Sequence, residues 1–171
     1  TMTQEGLGRL FDLSIGFAPV DMQTAANTGK RVSLKHAGAV TIVLIKAAGT
    51  AGDDPVLTLK QHTAATGGTS ANLAIIDHYT IKDGTTLAGT ETWSALTQAA
   101  AATITDPGGA GTSAEHQQID AIEVRAAQLS DGYAYVSLDV ADVGGNAQLG
   151  TVLYILHDLA VQRKPANLAA A

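Results

Sequence analysis

The chain contains no cysteine, which removes disulfide frameworks, thiolate zinc sites and cysteine nucleophiles together. Aromatic residues make up only 4% of it, so stacking platforms for sugars or bases are poorly supplied and the core has to be built from Val, Ile, Leu and Ala. Positive charge is scarce as well: ten Lys and Arg stand against sixteen Asp and Glu, a formal charge of −6. Phosphate neutralisation needs concentrated positive charge, so direct nucleic-acid binding is not expected. No apolar run approaches the roughly 20 residues that span a bilayer, and the N-terminal "TMTQEGLGRLFDLSIGFAPVDM" has no basic start followed by an apolar stretch of signal-peptide length. A soluble chain, without membrane contact or a signal of the usual secretory kind, is the expectation.

Catalytic and ligand-binding motifs are missing in the same way. The five histidines, His36, His62, His78, His116 and His157, are widely separated, the closest two being sixteen residues apart. None forms HxH or HExxH, so no local spacing projects two imidazoles onto one metal ion. The neighbours Asp77-His78, Glu115-His116 and His157-Asp158 point to opposite sides of an extended chain. The acidic loops "GTAGDDP" and "TDPGGAGTSAE" lack the DxDxDG rhythm of a calcium loop, and turn formation by Asp, Pro and Gly accounts for them. "DPGGAGTS" lacks the GK[ST] ending of a phosphate-binding loop, and no serine sits in GxSxG or SxxK. No catalytic residue, metal site or cofactor is assigned, and an enzyme is not expected.

Short strand-length runs are what the sequence does supply. Eight of them, "RVSLK" (31–35), "AVTIVLIKA" (39–47), "PVLTLKQ" (55–61), "LAIIDHYTIK" (73–82), "AAATIT" (100–105), "QIDAIEVRA" (118–126), "YAYVSLDVA" (133–141) and "GTVLYILHD" (150–158), lie between loops rich in Gly, Ala and Thr. Val136, Leu138 and Val140 alternate with Tyr135, Ser137 and Asp139, and Ile122 and Val124 with Glu123 and Arg125, as half-buried strands require. "VTIVLIK" is apolar on both faces, which fits either a central strand or one whose outer face another chain covers. "ETWSALTQAAAA" has good helix formers but only a thin apolar stripe, and is read as strand or irregular.

About eight short strands with a few long loops predict an all-β fold, an antiparallel β-sandwich of jelly-roll type. The predicted organisation is an extended N-terminal arm over residues 1–30, one β-sandwich domain over 31–159 and an extended C-terminal arm over 160–171.

Three segments, "TGKRVSLKHAGAVTIVLIKAAGTAGDDPVLTLKQ", "LSDGYAYVSLDVADVGGNAQLGTVLYILHDL" and "VQRKPANL", together resemble a group of tailed-bacteriophage and prophage structural proteins, most closely a capsid decoration, or cement, protein. The resemblance covers about residues 28–168 and consists of strand-and-turn patterns, not reactive motifs. It implies a non-enzymatic virion protein made in the host cytoplasm and placed on the outer capsid surface, where it stabilises contacts between major-capsid subunits. The implied partners are the major capsid protein and further copies of the chain, with a trimer as the expected assembly. A head-tail connector or tail protein would keep the virion class, and a carbohydrate-binding or receptor-binding β-sandwich of a tail or fibre is the alternative from another class. Lys30, Arg31, Lys35, Arg163 and Lys164 are the candidate contacts to an acidic capsid surface.

Overall fold

The computed structural model describes residues 6–167. Among these residues the chain forms eleven strands: β1 (Phe11–Asp21), β2 (Val32–Ser33), β3 (Ala37–Lys46), β4 (Val56–His62), β5 (Ser70–Asn72), β6 (Ile76–Gly84), β7 (Ser94–Ala101), β8 (Thr103–Thr105), β9 (Gln117–Arg125), β10 (Tyr135–Val140) and β11 (Leu149–Leu159). Helical structure is confined to two 3-10 turns, at Ala126–Gln128 and Pro165–Asn167. No helix of the described residues is long and apolar enough to cross a membrane.

The strands build two antiparallel sheets, one ordered β1-β11-β3-β9-β6-β7 and the other β2-β10-β4-β5, with β8 also paired to β4. β5 covers the Lys60–His62 end of one edge of β4 and β8 the Val56–Thr58 end, so together they act as one interrupted strand. With β6 and β7 set aside as an insertion, the orders β1-β11-β3-β9 and β2-β10-β4-(β5/β8) are the interlocked double Greek key of a jelly roll. The connections over 47–55, 106–116 and 141–148 cross between the two sheets, whereas 63–69 and 85–93 join neighbouring strands of one sheet.

The core lies between the sheets. Val40, Ile42 and Leu44 of β3, Ile122 and Val124 of β9, and Val152, Tyr154 and Leu156 of β11 face Leu57 and Leu59 of β4 and Val136, Leu138 and Val140 of β10. The period-2 patterns read in "YVSLDV" and "QIDAIEVR" are the inner and outer faces of these strands. "VTIVLIK" occupies a central position, between β11 and β9.

Three expectations need correction. The expected N-terminal arm is not one over residues 6–30: Phe11–Asp21 is the edge strand of the larger sheet, paired with β11 from Phe11↔His157 to Asp21↔Leu149. Register shifts between Ile15 and Phe17 and between Phe17 and Val20 interrupt the alternation that marks a strand, and Pro19 is tolerated because an edge strand has one row of unpaired N–H positions. The count of eight strands is also low, since β1, β5 and β7 join the sheets and "AAATIT" divides between the end of β7 and β8. The C-terminal segment is tied back as well: Ala160 N–H donates to His36 O (2.9 Å) and Arg163 N–H to Gly8 O (2.7 Å). Residues 1–5 and 168–171 of the two expected arms lie outside the described residues.

β2 is only two residues long, so β10 has no strand partner along the rest of that edge. Tyr154 takes its place. Its buried hydroxyl accepts the N–H of Leu138 (3.1 Å) and donates to Lys30 O (2.8 Å), joining the larger sheet to the smaller one and to the segment that enters β2. Gly29 N–H donates to Asp139 Oδ1 (2.9 Å) beside it. A Cβ at Gly29 would overlap Leu138 O, which explains the glycine at this close approach.

Candidate functional site

The five basic candidates fall into unequal groups. The guanidinium of Arg31 donates to Ala64 O (2.8 Å), Gly67 O (2.6 Å) and Ser70 Oγ (3.1 Å), so it pins the loop that leads into β5. That is a structural engagement of its donors. Lys30 is exposed while its backbone is held by Gly16 O and Tyr154 Oη. Lys35 Nζ stands 5.5 Å from the centre of the Tyr135 ring. Arg163 and Lys164 follow β11, and the bond between Ala160 and His36 brings their segment to the same end of the sandwich as Lys35. The fold therefore gathers Lys35 and Arg163–Lys164 at one end, and Arg31 is committed elsewhere.

The histidines are dispersed in the fold too. His62 is buried, with Nδ1 at 2.8 Å from Ser70 Oγ and Nε2 at 2.8 Å from Ser137 Oγ. Burial, and then the nearby Arg31 charge, lower its pKa. His157 contacts Thr41 Oγ1 (3.2 Å) on the outer sheet face, His78 pairs with Asp77 in solvent, and His116 Nδ1 lies 2.8 Å from Asp83. Among the described residues, no group of three or more His, Asp or Glu side chains could hold a metal ion.

Two features stand out that the basic candidates did not anticipate. The first is the outer face of the six-stranded sheet. Register places Leu13, Ile155 and Thr41 in one row across β1, β11 and β3, and Ile15, Leu153, Val43 and Ala121 in the next, extending to β9. A third row runs Thr151, Ile45, Ile119. None of these positions carries a charge. Charge begins where the rows continue: Glu123 of β9 follows Thr41 in the first row, and Lys82 of β6 follows Ile119 in the third. Leu13, Ile15, Ile45 and Leu149 are all exposed, Ile45 at 42% and Leu149 at 58%. A shallow depression of about 330 Å³, lined by Pro19, Ile45, Leu87, Ile119 and Leu149, opens at one end of the face. The doubly apolar "VTIVLIK" was the available signal: its inner residues fill the core and its outer ones, Val43 and Ile45, run through the centre of this surface.

The face is large enough to matter. The four strands β1, β11, β3 and β9 at about 4.8 Å spacing, with some nine residues at about 3.3 Å rise, give a projected area of about 570 Å², which doubled over two partners is near the roughly 1,000 Å² minimum of a specific interface. A standard protein–protein interface takes about 800 Å² from each partner. An apolar centre with charge at its margin is also how such interfaces are built, and the contiguous rows exceed the scattered exposed apolar residues found on any soluble protein.

The second feature is a buried polar group at the end of the sandwich where β3 finishes. Lys46 and Gln118, paired across β3 and β9, and Asp120, two residues further along β9, all point inward. Lys46 Nζ donates to Ala47 O (3.2 Å) and His116 O (2.6 Å). Gln118 Nε2 donates to Asp83 Oδ1 and Pro107 O, each at 2.9 Å. Burial lowers Lys46 to about 8, against the opposing pull of Asp120 and other carboxylates. Burial raises Asp120 to about 7. The sequence signal was the alternation itself: carried on from Val40, Ile42 and Leu44 it puts Lys46 inside, and carried back from Ile122 it puts Asp120 inside.

No protein-family model, no curated protein and no solved structure matches this chain, so its functional reading rests on the geometry described above and on the resemblance carried by its strand and turn segments.

Proposed function

We propose that the protein is a non-enzymatic structural component of a tailed-phage virion, a decoration protein that seats on the outside of the head and reinforces contacts between major-capsid subunits. The observation that carries this reading is the apolar centre of the outer β1-β11-β3-β9 face, a rigid surface on a jelly roll with the area of a small interface. A cementing role needs area and shape, not a reactive group, and repeated copies on a lattice add avidity to modest individual contacts. β1 lies in the sheet and forms part of the docking face. Lys35, Arg163 and Lys164, at one end of the sandwich, supply the polar contacts at its rim. Self-association, with three copies around a lattice axis, fits the same scheme.

Co-sedimentation of the purified chain with undecorated phage heads tests the proposal, together with density for the bound protein in a reconstruction of the particle. Binding in many copies over the head surface is expected. A single ring of density at the portal would replace the decoration reading with a connector, and a specific glycan hit without head binding would replace it with a receptor-binding module.

A further inference from the structure

The buried polar group beyond Leu44 plays no part in docking and satisfies its own hydrogen bonds poorly. Lys46 is 3% exposed and Asp120 1%. In the β3–β9 ladder Lys46 pairs with Gln118 and Leu44 with Asp120, so the lysine and the aspartate are diagonal neighbours on the inner face of adjacent strands, a separation that a lysine side chain spans. Both carboxyl oxygens of Asp120 are buried without a hydrogen-bond partner, and so is Glu115 Oε2. A buried carboxyl group with neither oxygen satisfied is costly; the Lys46 amine, which donates to Ala47 O and His116 O and makes no ion pair with Asp120, would have to turn from those carbonyls to meet it.

Asp83, on β6 next to β9, faces the same space. Its oxygens take the Gln118 amide (2.9 Å) and His116 Nδ1 (2.8 Å), and its charge acts on both Lys46 and Asp120. The two groups that would react are thus held on rigid central strands and out of bulk water, with the exposed Asp83 carboxylate at the solvent side of the group, hydrogen-bonded to Gln118 and His116.

We propose that Lys46 and Asp120 condense into an intramolecular isopeptide bond that staples β3 to β9. The uncharged amine of Lys46 attacks Cγ of the protonated Asp120 carboxyl, the new C–N bond forms, and the C–OH bond breaks. The proton lost from nitrogen passes through Asp83 to the departing hydroxyl, so one water molecule leaves and no oxidant, reductant or cofactor is consumed. Burial shifts both partners toward their uncharged forms, so that near neutral pH a minor fraction of Lys46 is free amine and about half of Asp120 is carboxylic acid, and placement on adjacent strands replaces the bimolecular encounter that makes such condensations slow in water. The reaction runs once per chain, so it is a maturation step and not enzyme turnover. It depends only on the folded chain, and its failure or success is separate from that of the docking proposal.

Intact-mass measurement of the purified full chain under denaturing conditions tests it. The expected mass is one water below that of the sequence. Digestion should then give the Lys46 peptide joined to the Asp120 peptide, with trypsin unable to cut after Lys46. Lys46→Arg and Asp120→Ala should each restore the full sequence mass, and Asp83→Ala should slow linkage about a hundredfold, the scale of one proton-transfer group. Wild-type chain that keeps its full mass through prolonged incubation near neutral pH overturns the proposal, whatever the variants do. So does a water loss that maps to a succinimide at Asp83-Gly84 or Asp131-Gly132 with Lys46 free. An unchanged rate in Asp83→Ala overturns the role of Asp83.

Discussion

Replacing Tyr154 by Phe removes one oxygen atom and tests how the two sheets are joined. Leu59 sends its N–H and C=O toward Ala102 and Leu73, away from β10, so Leu138, its partner across the β4–β10 pair, directs its own N–H to the opposite edge, where β2 has ended. Tyr154 Oη is the acceptor there, and it donates onward to Lys30 O. The tyrosine is fully buried, so no water replaces the hydroxyl. Leaving a buried N–H unpaired costs about 1–3 kcal/mol, and the lost bond to Lys30 adds about 1 kcal/mol. Tyr154→Phe should therefore lower the unfolding free energy by about 2–4 kcal/mol, a large part of the about 5–15 kcal/mol typical of a domain. Urea denaturation followed by circular dichroism measures it, with an unchanged m-value confirming that the same surface unfolds. Tyr135→Phe, at a half-buried position beside Lys35, is the control and should stay within about 0.5 kcal/mol. A Tyr154→Phe cost as small as the control's would refute the reasoning, because Leu138 would then have another acceptor.

Three further outcomes follow from other parts of the fold. Gly29→Ala forces a methyl group into Leu138 O and to 3.0 Å from Tyr154 Oη; thermal melting should register a loss of about 1–3 kcal/mol, combining with Tyr154→Phe less than additively because both act on one junction. Ile45→Lys, at an exposed position of the outer face, should change stability by only about 0.5 kcal/mol while sharply reducing co-sedimentation with heads, and undiminished binding would remove that face from the interface. His62 has a pKa held below the ordinary value by burial, so as pH falls below about 6.5 the unfolded chain takes up a proton that the folded one resists, and stability drops. His62→Gln should flatten the melting temperature between about pH 7 and pH 5, and an equally steep fall in the variant would show that other groups carry the acid sensitivity.

Much of the fold was legible in the chain because its signals are local. Alternation in "YVSLDV" and "QIDAIEVR" fixed which side chains face the core, and Gly-rich loops marked the connections of an antiparallel sandwich. The absence of cysteine, of clustered base and of any reactive motif narrowed the chemistry on composition and spacing alone. What depended on tertiary structure was everything set by partners distant in the chain. β1 escaped recognition because two register shifts hide its period and only its pairing with β11 makes it a strand. Arg31 reads as a free cation in sequence, and the loop at Ala64 and Gly67 closes on it in the fold. Lys46 and Asp120 are ordinary charges in sequence, and they become a buried pair only because β3 and β9, more than seventy residues apart in the chain, lie side by side with both residues on the inner face. The apolar outer surface has the same origin: Leu13, Ile45 and Leu149 are single apolar residues along the chain, and the sheet order alone gathers them onto one face.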